Sequence, residues 1–182
     1  TNLTMPYAHG RDRQLVEYVS RGTRGEVHEP WFAYFGFRYL EVRGLPDDAS
    51  VAVTAYSMHT DLASSGTLAT DSSTIDRLLA TARRTLLNNV HGVPEDCPTR
   101  EQAAWTGDTA SVAEYELAAF DSETFLDKWI ADLETSQRAD GQLPAVAPDL
   151  HASRMPSDPV WGSALHRMLR GHLLHYGDFR LV

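Results

Sequence analysis

Cysteine is almost missing from this sequence. Cys97 stands alone in 182 residues, which excludes an internal disulfide framework and any cysteine-rich zinc site. Lysine is equally scarce, with Lys128 against fifteen arginines. Basic residues as a class are outnumbered, 16 to 25, and the net charge is −9. Such a chain repels a nucleic-acid backbone, so the expected partner is neutral or small. No apolar run approaches the roughly 18 residues of a helical membrane span, so no membrane role is expected. The histidines show no metal-ligand spacing. His172 and His175 lie three apart, lack a matching carboxylate, and read as surface and packing residues, so no metal is expected. Thr1-Asn2-Leu3-Thr4-Met5-Pro6 lacks the basic-then-apolar pattern of a secretion leader. The chain reads as a piece of a longer one, whose compartment, cytoplasmic or secreted, stays open.

What is present divides into two halves. Residues from about 13 to 60 read as strands. Phe32-Ala33-Tyr34-Phe35-Gly36-Phe37-Arg38-Tyr39-Leu40-Glu41-Val42 is rich in aromatic and branched residues, and its last part alternates. Gly44-Leu45-Pro46-Asp47-Asp48 is turn chemistry. Val51, Val53 and Ala55 alternate with Ala52, Thr54 and Tyr56 as a second strand. Gly22 to Gly25 has the look of a hairpin turn. These strands are too few to close a sandwich alone.

From Asp71 the period becomes helical. Ile75, Leu78, Leu79, Ala82, Leu86, Leu87 and Val90 mark a first helix, with Asp71 to Ser73 available as its cap. A second starts at Thr106-Gly107-Asp108 and runs through Val112, Ala113, Leu117 and Phe120. Ser122 can cap a third, with Phe125, Leu126, Trp129, Ile130 and Leu133 on one stripe and Gly141 just past its end. A fourth follows Pro159, with Val160, Trp161, Ala164, Leu165, Met168, Leu169, Leu173 and Tyr176, and stops at Gly177. Alternately short and long connections predict stacked antiparallel helical hairpins.

The long segment from Gly92 to Asp108 carries most of the unusual residues. Two prolines and two glycines restrict its backbone. On it sit Glu95, Asp96, Glu101 and Asp108, with Arg100 and Trp105. A sugar-processing site needs such a set. Carboxylates supply an acid, a base or acceptors for hydroxyls, arginine donates in a fixed fork, and an indole offers a flat apolar face to a pyranose. Plainer roles fit the same residues. Asp108 is well placed as a first-turn helix acid. Asp96 can hold a turn against Pro98. Arg100 and Glu101 can form a solvated pair of little energetic consequence. Trp105 fits a core, and Cys97 a small buried position, because no histidine lies near it to activate a thiolate.

Asp96-Cys97-Pro98-x-Arg100-Glu101, followed by Trp105-Thr106-Gly107-Asp108, resembles the signature of the α-L-rhamnosidases of glycoside hydrolase family 78. The segment from Glu29 to Val42 resembles the strands that precede the family's catalytic domain. Asp127-Lys128-Trp129-Ile130-Ala131-Asp132-Leu133, then Gln137, Gly141, Pro144 and Pro148, follow the family's course after the loop. Trp161-Gly162-Ser163-Ala164 and Tyr176-Gly177-Asp178 continue the match, which covers roughly residues 26 to 178. Two departures stand out. Many relatives carry Arg-Asp-Glu where Glu101 here follows Arg100 directly, a shorter form that some relatives share. Ser163 stands where relatives usually have Asp.

The resemblance implies a mixed chain, β then α. Residues 1–70 would be the C-terminal strands of a β-sandwich domain. Residues 71–182 would be the N-terminal part of a catalytic toroid of six antiparallel helical hairpins, incomplete here because twelve helices need far more than the 112 residues from Asp71 onward. It implies a bacterial type of inverting hydrolase that releases terminal α-L-rhamnose without a cofactor. By motif position Glu101 would be the general acid. Asp96, Arg100 and Asp108 would hold sugar hydroxyls, and Trp105 and Trp161 would line the pocket. The general base would be a Glu in the rest of the parent chain, so the isolated piece is expected to be inactive. Another six-hairpin glycosidase or lyase, or a non-catalytic carbohydrate-binding module, are the alternative readings.

Overall fold

The computed structural model describes residues 14–149 and 158–177. The readings made on residues 1–13 and on Asp178 lie outside them. In chain order the elements are β1 (Ala63–Ser64), α1 (Ser73–Leu87), α2 (Thr106–Ala119), β2 (Phe120–Asp121), α3 (Glu123–Thr135), α4 (Pro159–Gly162) and α5 (Ala164–Tyr176).

The helical half follows its sequence pattern closely. α2 is the central element: it packs against α4 and α5, while α3 packs against α5. The predicted stripe of α3 is the buried one, with Phe125, Leu126, Trp129, Ile130 and Leu133 all inside. Recurrence at three and four residues puts these side chains on one face of a 3.6-residue helix. Phe125, Leu126, Trp129 and Leu133 join Leu86, Val90, Ala113, Leu117, Phe120, Ala147 and Met168 in one core. Trp129 is fully buried, and its indole N–H donates to Ala147 O at 3.0 Å. Burying an aromatic of that size removes on the order of 150–250 Å² from water.

The predicted fourth helix is two. α4 is capped by Asp158, whose Oδ1 accepts from the Val160 and Trp161 amides at 2.7 and 3.1 Å, with Pro159 at the first helical position. Ser163 then separates α4 from α5. α5 ends at Gly177, whose φ of +67° is a left-handed conformation that suits glycine. Asp108 does lie in the first turn of α2, and Ser122 does precede α3, although its side chain makes no cap bond.

The upstream half does not form the predicted strands. Between residues 14 and 62 no strand pairing is present among the described residues. Alternation at 37–42 and 51–56 specifies a strand only when a neighbour can take up the unpaired amides and carbonyls, and the described residues offer none. The turn near Gly22 to Gly25 is real. Both glycines have positive φ, and the Glu26 carboxylate gathers Tyr18 Oη, Ser20 Oγ and the Arg21 and Thr23 amides. The one sheet among the described residues is the unforeseen pair of β1 with β2, antiparallel, with Ala63 opposite Asp121 and Ser64 opposite Phe120. It ties the end of the upstream half to the α2–α3 corner.

His172 corrects a second expectation. It is a packing residue buried in α5, as that reading allowed, but α3 supplies the carboxylate that sequence spacing did not reveal: Asp127 Oδ1 lies 2.7 Å from His172 Nε2. The two are 45 residues apart in sequence, and the packing of α3 on α5 brings them together.

Candidate active site

The loop between α1 and α2 is held from three sides. Within it, Asp96 and Ala103 exchange bonds: the Asp96 amide donates to Ala103 O at 3.0 Å, and the Ala103 amide donates to Asp96 Oδ1 at 3.1 Å. Asp96 therefore closes the loop, the plainer of its two expected roles. Gln102 sits at φ +51°, an uncommon conformation for a non-glycine residue. Its side-chain amide donates to Tyr34 O and Pro98 O at 3.3 and 3.0 Å.

The second side is the segment after α3. Thr106 is fully buried, and its hydroxyl lies 3.1 Å from Ala145 O and 3.0 Å from Trp161 O. The Thr106 amide donates to Ala145 O, and the Ala147 amide donates to Ala104 O. These bonds fix the start of α2. Next to it, Gly107 allows an approach no other residue permits. A Cβ there would lie 2.5 Å from Trp161 Cε2 and 2.6 Å from Cδ2. The indole of α4 thus rests against the backbone of α2, beside Asp108.

The third side is the upstream half. The Gly36 amide donates to Pro98 O at 3.2 Å. Tyr34 reaches further in. Its hydroxyl donates to Glu95 Oε1, and its ring stacks on His91 with centroids 3.8 Å apart.

Six predicted site residues converge on this loop and the start of α2. Glu101 Oε2 accepts from the Trp105 indole N–H at 2.6 Å, and Glu101 Oε1 lies 3.2 Å from Arg100 Nη2. Arg100 and Glu101 are thus the pair that the sequence allowed, but Trp105 is their third member rather than core filling. Asp108 is close enough to feel Asp96, Glu101 and Trp161. Its carboxyl is raised above the ordinary value, first by partial burial and then by the Asp96 charge, with Glu101 adding less and the Trp161 N–H opposing. Asp108, Gly107, Ser111, Trp161 and Arg167 surround a recess of about 210 Å³. Cys97 is a half-buried free thiol whose sulfur accepts the Glu101 amide at 3.4 Å, so it supports the loop. Among the described residues no group of three acidic, histidine or cysteine side chains is placed to hold a metal ion. No helix there is long and apolar enough to cross a membrane.

Sequence reasoning assigned no role to Tyr34 or His91, and counted Glu95 only as one acid among four. Glu95 turns inward and is buried, while its neighbour Asp96 faces the loop. No local pattern distinguishes two adjacent acids in a loop.

Three comparisons bear on this arrangement. Residues 63–182 match the model of the bacterial alpha-L-rhamnosidase 6 hairpin glycosidase domain, and residues 6–59 match that of the bacterial alpha-L-rhamnosidase concanavalin-like domain. An alpha-L-rhamnosidase of Formosa agariphila is 30% identical over 181 residues, which is 93% of this chain and 19% of that protein. One of Streptomyces avermitilis is 35% identical over 133 residues, 72% of this chain and 13% of that protein. The chain therefore spans less than a fifth of the length of these curated relatives. Among solved structures, the alpha-L-rhamnosidase of Dictyoglumus thermophilum aligns over 68% of this chain and 14% of its own, with a TM-score of 0.64 and 28% identity. The Streptomyces avermitilis enzyme complexed with L-rhamnose aligns over the same share of this chain and 12% of its own, again with TM-score 0.64 and 28% identity. Because the larger match takes in residues 63–182, well over half of the sequence and all five helices, this chain belongs to the bacterial alpha-L-rhamnosidase six-hairpin glycosidase family.

Proposed function

We propose that the chain is the acid-bearing part of an inverting glycoside hydrolase that releases terminal α-L-rhamnose. Residues 1–70 are the end of a β-sandwich domain, whose remaining strands would supply the partners that 37–42 and 51–56 lack. Residues 71–182 begin the catalytic toroid. Glu101 protonates the glycosidic oxygen as the bond to the anomeric carbon breaks. Water attacks that carbon from the opposite face and gives its proton to a second carboxylate in the remainder of the longer protein. Asp96, Arg100 and Asp108 bind sugar hydroxyls. The indoles of Trp105 and Trp161 offer apolar walls, which suit a 6-deoxy sugar with a methyl group.

The observation that carries this reading is the setting of Glu101. Its carboxyl is oriented by Trp105 and Arg100, on a loop braced from three sides, with two further carboxyls beside it. Such bracing holds a reacting group in one geometry before substrate arrives. The solved relative complexed with L-rhamnose fits the choice of sugar. A second reading makes Asp108 the proton donor, and its raised carboxyl favours it.

The two are separated in the full-length protein by turnover of a rhamnosyl disaccharide and of p-nitrophenyl rhamnoside. Glu101→Gln should lower kcat on the disaccharide by about three powers of ten, with much less loss on the aryl rhamnoside, whose leaving group needs little protonation. Asp108→Asn should raise KM on both substrates alike. If Asp108→Asn shows the leaving-group dependence and Glu101→Gln does not, the roles are exchanged. Turnover of other glycosides or uronates in place of rhamnosides would point to a different six-hairpin glycosidase or lyase.

A further inference from the structure

The upstream half meets the acidic loop through a strap of three residues, and the contacts are unevenly spread. Tyr34 touches both limbs of the loop. Its hydroxyl donates to Glu95 Oε1 at the entry, and its carbonyl accepts from Gln102 at the exit, 3.3 Å away. Between these limbs lie Asp96, Arg100 and Glu101. Gly36 completes the strap by binding Pro98 O in the middle. A Cβ on Gly36 would lie 2.4 Å from Thr99 Cγ2, so the strap runs directly against the loop.

Glu95 is the fixed point of this arrangement. Its side chain is only 3% exposed, and it has two partners, Tyr34 on Oε1 and His91 Nδ1 at 3.0 Å from Oε2. Its amide donates to Asn89 O at 2.8 Å, which ties it to the end of α1. His91 is held in turn, since its Nε2 lies 3.0 Å from Met58 O and its ring lies flat on Tyr34. A buried carboxylate is tolerated only with partners on its oxygens, so loss of one partner should move the group rather than leave it in place. Burial first, and then the bond to Glu95, push the Tyr34 hydroxyl well above its ordinary range, which keeps it a donor.

We propose that Tyr34 and Glu95, steadied by His91, are positioning residues that set where the Glu101 carboxyl stands relative to the scissile bond. The preceding domain is then part of the catalytic apparatus, through one tyrosine. The left-handed Gln102 immediately after Glu101 shows that this stretch of backbone needs outside support, and the strap supplies it. This proposal rests on the reading of Glu101 as the proton donor.

The test uses the full-length protein with Tyr34→Phe, which removes one oxygen, and Glu95→Gln as a second variant of unchanged shape should the first not accumulate. A displacement of about 1 Å at a reacting group can cost roughly 100-fold. Tyr34→Phe should therefore lower kcat on a rhamnosyl disaccharide by about 10- to 100-fold, with KM within about twofold, and lower kcat on p-nitrophenyl rhamnoside by less than about threefold. In a Glu101→Gln background it should cost less than about twofold more, because the group it positions is gone. Equal losses on both substrates, losses that multiply with Glu101→Gln, or an unchanged kcat would overturn the proposal and leave the assignment of Glu101 standing. Failure of the unmodified protein to cleave either rhamnoside would overturn the functional reading, and this proposal with it.

Discussion

The upstream segment and the helical body are both rich in hydrophobic residues but have opposite fates. In the helical body Phe120, Leu126, Trp129, Ile130 and Met168 are completely buried. Upstream, Val19 is 89% exposed, Trp31 78% and Tyr56 81%. The difference lies in where each kind of backbone finds its hydrogen bonds. A helix satisfies its interior amides and carbonyls within itself, so an apolar stripe needs only a neighbouring stripe to be buried. A strand has no internal partners, and its apolar face is buried only after a sheet has formed. α1 lies between the two cases: it is helical throughout, yet Ile75 and Leu78 are exposed and only Leu86 is buried. Local periodicity thus forms the element, and tertiary neighbours decide whether its stripe is covered. The strap from Tyr34 to Gly36 is a place where the upstream segment does find partners, with its acceptors on the acidic loop.

The largest effect that sharpens this contrast concerns a polar group inside the helical body. Glu116 on α2 is 1% exposed, and burial raises its carboxyl to about 7, with Ser122 beside it opposing. A folded-state value above the unfolded one means that folding is favoured while the group is protonated. Stability should therefore fall as pH rises from about 4.5 to about 7, and stay low above that. Glu116→Gln, neutral at every pH, should stabilise the protein at pH 8 by on the order of 3 kcal/mol, with little effect at pH 4.5. Melting temperatures of both forms across that range decide it, and a difference that does not depend on pH would mean that Glu116 is solvated.

Gly107→Ala tests the contact between α2 and α4. The new methyl meets the Trp161 indole, a rigid ring that must swing away. Overpacking of this kind costs about 1–3 kcal/mol. Rhamnose affinity of the full-length protein should fall together with the melting temperature, because Trp161 leaves the side of Asp108. Isothermal titration beside a thermal melt reads both. Unchanged affinity with lowered stability would remove Trp161 from the pocket.

The smallest effect belongs to the other side of the comparison. Trp31→Ser in the 182-residue chain should change stability by less than about 0.5 kcal/mol, because an exposed indole set edge-on to the equally exposed Phe32 ring contributes little. Urea denaturation measures it. A cost above 1 kcal/mol would show that the upstream segment buries this indole and that the contrast between the halves is weaker than described.

Much of the candidate site could be read from the sequence, and the part that could not has a common cause. Arg100, Glu101, Trp105 and Asp108 lie within nine residues of each other, so a loop brings them close whatever the rest of the chain does. Trp161 was identified by resemblance, but its seat depends on Gly107, 54 residues earlier. Tyr34, His91 and Glu95 belong to three separate stretches, and only folding makes them a cluster. The same limit hid the carboxylate of His172, which Asp127 provides from another helix.

By itself the sequence determined helices α1 to α3, the buried face of α3, the stop at Gly177 and the makeup of the acidic loop. Each of these depends on residues within a few turns of one another, where periodicity, capping and turn chemistry act. The tertiary structure alone decided that the stripe of α1 stays largely uncovered, that the upstream alternation forms no sheet, that Glu95 turns inward while Asp96 closes the loop, and that Tyr34 reaches the loop from 61 residues away. These outcomes depend on which surfaces meet, and burial is a property of the whole packed arrangement rather than of any segment within it.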